Sequence, residues 1–335
     1  MVPEKPRPTL KDIALQADVS IATVSRALAD NPAVTQKTRE RIQALATELG
    51  YRPNAQARAL QSSRTNTIGV VVPSLINHSF AAMVTALQDV AEAADMAVII
   101  TNSNENAAMM ASSLDFLASH GVDGIICVPD EGCADQLEEL HRQSLPLVLI
   151  DRELPSSSIP TVVSDPEPGI RAAVNLLVRH NALPVGYLSG PTSTSTGRHR
   201  LDTFRQACAD AGFPEQPVFL GGYEQSRGFQ GANHLIGQGV KTLFAGDSMM
   251  TIGVLEACHR AGLRIGEDIS IVGFDNQPLF GLQPRPLTLI DQHVETMAHR
   301  AFAVLNGLIE GENPQSRYIS IPTTLIERES IRTTP

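Results

Sequence analysis

Nine residues of this chain have the types, and the placement just beyond apolar runs, to bind a small ligand. Asn77 and Phe80 follow TIGVVVPS in LINHSF, and Asp151 and Arg152 close LVLIDR. Arg200 follows YLSGPTSTSTG, Tyr223 follows VFLGG, Asp247 sits in AGDS, Asp275 ends IVGFD and Gln292 lies in TLIDQH. Carboxylates and guanidinium groups make paired hydrogen bonds to neighbouring hydroxyls, and aromatic faces cover the C–H side of a sugar ring. Three carboxylates against two arginines favour a neutral, polyhydroxylated ligand over an acidic metabolite. Any one of these residues could equally cap a helix. Their recurrence at successive run ends points to a shared site, because open α/β sheets bind ligands beyond the carboxyl ends of their strands.

Catalysis finds little support. No G-x-G-x-x-G follows a strand, and neither a G-x-x-x-x-G-K loop nor a G-x-S-x-G elbow occurs. The nine histidines are scattered without metal-ligand spacing, so neither a metal nor a cofactor is expected. Cys127, Cys133, Cys208 and Cys258 match neither a zinc pattern nor a disulfide framework and read as idle thiols of a reducing compartment. An enzyme acting on a small polyhydroxylated ligand is the contrasting class, and turnover of that ligand would reveal it.

A second kind of chemistry lies in Thr9–Leu28, TLKDIALQADVSIATVSRAL. Thr9 and Asp12 have capping-box spacing, and Leu10, Ile13, Ala14 and Ala17 form one helical face. Asp18-Val19-Ser20 is a tight turn, and Val24, Ala27 and Leu28 face inward on the next helix. Ile21, Ala22, Ser25 and Arg26 are left outward. Two helices joined so are a helix-turn-helix, whose second helix enters the DNA major groove. Arg26 can bond guanine, while Ile21 and Ala22 can touch thymine methyls. Thr23, Ser25, Thr35 and the linker arginines, Arg58 among them, suit phosphate contacts. The charge agrees: residues 1–65 hold 10 Lys+Arg and 6 Asp+Glu, and the other 270 hold 16 and 30. A basic head on an acidic body is the pattern of a nucleic-acid-binding end.

The elements that position these groups follow from periodicity. Residues 1–8 form an expected disordered arm, and residues 9–50 a three-helix head whose third helix begins after Thr35 and stops at Gly50. Residues 51–66 are a linker with a conditional helix over Asn54–Ser62, too short to stand alone. From Thr67 to the end of the 335 residues, continuous β-branched runs alternate with helical stretches, which predicts parallel strands buried on both faces. The expected class is an all-α head on an α/β core of two doubly wound subdomains. The strand-helix theme restarts after Pro160, so the first is expected to begin at about 67 and the second at about 161.

V-S-x-x-T-V-S-R-x-L, the capped third helix and GYRPNAQARAL resemble the LacI/GalR family of bacterial transcription repressors, and the order of elements does so to the C-terminus. The resemblance implies a core like the periplasmic sugar-binding proteins, with the C-terminal part crossing back between subdomains, so that the first is expected to span about 67–160 plus 293–322 and the second about 161–292 plus 323–330. It also implies a linker lying in the minor groove, with Asn54 and Ala57 beside Leu60, which would wedge between base steps. Within the family the ligand positions resemble the ribose branch. Ser79 stands where a second aromatic is expected, Asp247-Ser248 replaces an Asn-Asp pair, and Val128 supplies no amide. These departures leave room for a nucleoside such as uridine.

The expectation is a homodimeric repressor of ribose or ribonucleoside uptake and catabolism genes, bound to a palindromic operator and released by its effector. A nucleoside, purine or other corepressor is the alternative. No apolar run suits a membrane span, no secretory signal is visible and the chain ends without a leucine heptad. A cytoplasmic dimer, nucleoid-bound when on DNA, is therefore expected.

Overall fold

The computed structural model describes residues 8–28, 30–51 and 64–332. The chain divides into Met1–Thr65 and Asn66–Pro335. Residues 1–7 of the expected arm and the linker positions Asn54, Ala57, Arg58 and Leu60 lie outside the described residues.

In the first unit, α1 (Leu10–Ala17), α2 (Ile21–Leu28) and α3 (Gln36–Leu49) surround one small core. Thr9 donates its N–H and its hydroxyl to the Asp12 carboxylate at 2.8 and 2.7 Å, which holds that carboxyl below its usual range. Asp18 turns the chain at φ 50°, and Val19 packs against the core at that corner. Ser20 Oγ accepts the Thr23 N–H at 3.1 Å, and Thr35 and Gly50 cap the two ends of α3. Ile13, Val24 and Ile42 are fully buried, with Ala14, Ala17, Ala27, Val34 and Ala46 around them.

The second unit runs β1 (Thr67–Val72), α4 (His78–Ala93), β2 (Ala97–Asn102), α5 (Ala107–Ser119), β3 (Gly124–Cys127), α6 (Ala134–Arg142) and β4 (Leu147–Ile150). It continues through β5 (Thr161–Asp165), α7 (Glu167–Arg179), β6 (Val185–Ser189), α8 (Ser195–Asp210), β7 (Val218–Leu220), α9 (Gln225–Gly237) and β8 (Thr242–Ala245). The rest is α10 (Ser248–Arg260), β9 (Ser270–Phe274), α11 (Pro278–Gly281), β10 (Thr288–Asp291), α12 (Val294–Ile309), β11 (Tyr318–Pro322) and β12 (Thr324–Ile326). Two six-stranded sheets result, ordered β11-β5-β4-β3-β1-β2 and β12-β10-β9-β8-β6-β7. Every pairing is parallel except β10 with β12. The fold is thus a helix-turn-helix head plus an α/β core of two parallel-sheet halves, each with apolar clusters between sheet and helices.

One placement differs from expectation. TVVSD, assigned by its position after Pro160 to the second half, is β5 of the first sheet, paired with β4 through Leu149↔Thr161 and with β11 through Tyr318↔Thr161. An apolar run identifies a buried parallel strand but carries no information about its neighbours. Here residues 151–160 join two adjacent parallel strands without an intervening helix, so the β-α rhythm misplaced the boundary. The chain leaves the first sheet after Asp165, returns between Asp291 and Val294, and leaves again between Pro322 and Thr324.

Among the described residues no helix is long and apolar enough to cross a membrane. All four cysteines are buried thiols, and burial pushes Cys208 up to about 11 and Cys258 to about 12.

Candidate effector cavity and DNA-facing helix

Parallel strands deliver their carboxyl ends to one side, so residues distant in sequence meet there. Asn77, Phe80, Asp151, Arg152, Arg200, Tyr223, Asp247, Asp275 and Gln292 all line one cavity between the two halves of the core, with Ser79, Met83, Thr196 and Val294. The free volume, counted at the centre of a water molecule, is ≈ 20 Å³, room for one or two waters. A pentose therefore requires the walls to part or its polar lining to move.

Most of the lining already has protein partners. Asn77 caps α4, its Oδ1 accepting the Ser79 N–H at 3.0 Å and the Ser248 hydroxyl of the other half at 3.3 Å. Asp151 and Asp275 stand at strand ends with φ of 69° and 66°, a left-handed conformation unfavourable for residues with a Cβ. Arg200 stacks on Phe274, with 4.2 Å from guanidinium carbon to ring centre. It donates to Gly246 O at 2.8 Å and to Gln292 Oε1 at 2.5 Å. The Gln292 amide also accepts from Ser164 at 2.9 Å and donates to Asp275. Tyr223 Oη meets the hydroxyls of Thr194 and Thr196, each at 2.8 Å. Asp247 caps α10 through the Met250 N–H at 3.0 Å. Burial first, and the neighbouring Asp275 second, push its carboxyl up to about 7. Burial likewise raises Asp151 and Tyr223.

The Ser79 hydroxyl and the Arg152 Nε are buried without a hydrogen-bond partner, the Nε lying 3.9 Å from Asp151 Oδ2, so the cavity wall retains hydrogen-bonding groups that a polar ligand can satisfy. Val128 is buried in the apolar cluster under α4 and α12 and is not part of the lining.

Further bonds bridge the two halves outside the cavity. Glu131 pairs with Arg198 at 2.6 Å, Glu153 lies 3.3 Å from His199, and the Glu153 N–H donates to Ser195 Oγ at 3.0 Å. Glu105, which follows β2, was not among the expected site residues, yet it holds Arg152 through two bonds of 2.8 and 2.7 Å. The strand-end rule that picked out the other residues, applied to β2 as well, identifies it.

In the head, Ile21, Ala22 and Arg26 are exposed on α2, and Thr23 and Ser25 are half-buried beside them. Thr35 is exposed at the start of α3, with its hydroxyl 2.9 Å from that of Thr38. These positions form the outward face of the second helix and the start of the third, while Arg58 lies outside the described residues.

Comparison with known proteins agrees with both parts. Residues 9–54 match the family model of bacterial regulatory proteins, lacI family, and residues 174–331 match the periplasmic binding protein-like domain. Catabolite control protein A of Priestia megaterium is 29% identical over 329 residues, covering 97% of this chain and 99% of that protein. The repressor CytR of Escherichia coli K12 is 29% identical, covering 98% and 97%. The crystal structure of a "probable LacI family transcriptional regulator" from Corynebacterium glutamicum is 63% identical, covering 80% of this chain and 100% of that one, with a TM-score of 0.76. The lac repressor dimer bound to operator and the anti-inducer ONPF is 26% identical, covering 98% and 100%, with a TM-score of 0.88.

Proposed function

This chain belongs to the LacI family of bacterial transcription regulators, and from that premise we propose that it is a homodimeric repressor released from DNA by ribose or a related ribonucleoside. It is a DNA-binding regulator and not an enzyme. The finer reading rests on one observation above the others: nine strand-end residues of a sugar-binding pattern converge on a single cavity between the two halves of the core. Its carboxylates accept from hydroxyls, and Phe80 and Tyr223 offer ring faces.

On DNA, Arg26, Ile21 and Ala22 read base edges while Thr23, Ser25, Thr35 and Arg58 hold phosphates. Asn54, Ala57 and Leu60 of the linker occupy the minor groove, with Leu60 as the wedge. Two heads read the halves of a palindrome, since two-fold symmetry in the protein is mirrored in its site. The lac repressor whose structure this chain resembles is a dimer on its operator, which supports the pairing of two copies here. Effector binding changes how the two halves meet, and this shift reaches the linkers. A coupling of roughly 1–3 kcal/mol is typical of such linkage.

Ser79 favours a second reading. Its unpartnered hydroxyl, in place of an aromatic ring, suits a nucleobase and hence a nucleoside or purine corepressor. Two relatives of 29% identity are named PurR and CytR.

Fluorescence anisotropy on a labelled fragment from upstream of the protein's own gene, at fixed salt, tests both. Tight binding released by ribose or uridine supports the inducer reading, and binding tightened by uridine or a purine supports the corepressor. Binding indifferent to all of them refutes the effector assignment and leaves the DNA assignment standing.

A further inference from the structure

The structure assigns to Glu105 the charge selectivity of the effector cavity: it positions Arg152 so that neutral sugars are admitted and phosphorylated or carboxylated ones are refused. This builds on the sugar-effector reading for what the cavity binds, but concerns a residue to which that reading gives no role. Arg152 is 4% exposed, and its two terminal nitrogens meet the two Glu105 oxygens in parallel, at 2.8 and 2.7 Å. That is the fork geometry by which arginine takes a carboxylate or a phosphate. Glu105 is not among the residues that line the cavity, so both terminal nitrogens of this lining arginine are engaged by a group outside the lining.

The other cation of the lining is committed too. Arg200 spends both terminal nitrogens on Gly246 O and Gln292 Oε1. The lining offers the carboxylates of Asp151, Asp247 and Asp275 together with two donors that lack a hydrogen-bond partner, the Ser79 hydroxyl and the Arg152 Nε, which lies 3.9 Å from Asp151 Oδ2. Two spare donors among acceptors suit hydroxyl groups, whereas an anion meets an acid-rich wall with no fork to hold it.

Glu105 is placed for this task at some conformational cost. Asn104 and Glu105 both adopt φ of 52°, two consecutive left-handed residues that are not glycine. The Glu105 side chain is 36% exposed where that of Arg152 is 5% exposed, so the acid sits on the solvent side of the pair and can be altered without opening the core.

Full-length protein and the variants Glu105→Gln and Glu105→Ala are titrated calorimetrically with ribose, ribose 5-phosphate and inorganic phosphate. Freeing the fork is expected to strengthen binding of both phosphates by at least about tenfold, while ribose changes far less. A merely structural role would weaken all ligands together. Phosphate gain in the variants without any ribose binding refutes the pentose reading and retains the role of Glu105. No phosphate gain in either variant, with both melting as cooperatively as the natural protein, overturns the assignment. Tight binding of ribose 5-phosphate by the natural protein does the same.

Discussion

Replacing Asp247 by Asn should make the core more stable at neutral pH and hardly change it in acid. Asp247 is 4% exposed, and burial and Asp275 lift its carboxyl from the ordinary 3.8 to about 7. The folded protein therefore holds this proton more tightly than the unfolded chain does. The resulting stabilisation is complete below pH 3.8, is lost progressively as pH rises towards 7, and stays lost above that. Roughly three pH units at about 1.36 kcal/mol each amount to about 4 kcal/mol. Asparagine keeps the capping acceptor for the Met250 N–H and removes the charge. Urea denaturation followed by circular dichroism from pH 4 to pH 8 measures the difference between the two proteins. It should be below about 1 kcal/mol at pH 4 and rise to about 4 kcal/mol at pH 8. A difference that stays constant across this range would refute the claim that burial beside Asp275 retains the proton. Such a penalty at a binding site is a familiar trade of stability for function.

Three other perturbations address the remaining parts. Arg26→Ala should cost about 1–3 kcal/mol in operator binding and relax one base position; anisotropy competition with single-base operator variants checks this, and equal weakening on every sequence would make Arg26 a phosphate contact. Ile42→Ala empties a fully buried position of the head and should cost about 2–5 kcal/mol, comparable with the whole stability of a domain that small. Calorimetric scans should then show the core transition unchanged while DNA binding disappears, and retained binding would show a head more stable than its core implies. Gly253→Ala would set a Cβ against the backbone of α9 at Gln225 O and Phe229 N, atoms that cannot step aside. The α9–α10 contact should loosen by about 1–3 kcal/mol, lowering the melting temperature of the core, and an unchanged melt would contradict that packing.

Much of this molecule is written locally. The Thr9–Asp12 box, the Thr35 cap and the Gly50 stop each depend on residues within a few positions of one another, so they were legible in order. The apolar runs from Thr67 onward specified buried parallel strands for the same reason. The nine cavity residues were legible because parallel strands end on one side whatever their order in the sheet. What the chain could not disclose by itself is who meets whom. The place of β5 depends on its pairing with β4 and with β11, which begins more than 150 residues later. Glu105 and Arg152 are 47 residues apart, Arg200 and Gln292 are 92 apart, and Asn77 and Ser248 are 171 apart. Those pairings decide which guanidinium forks remain available, and burial beside Asp275 decides where Asp247 titrates. Local sequence sets the hydrogen-bonding capacity of each group; burial and long-range partners decide how much of it is left for a ligand.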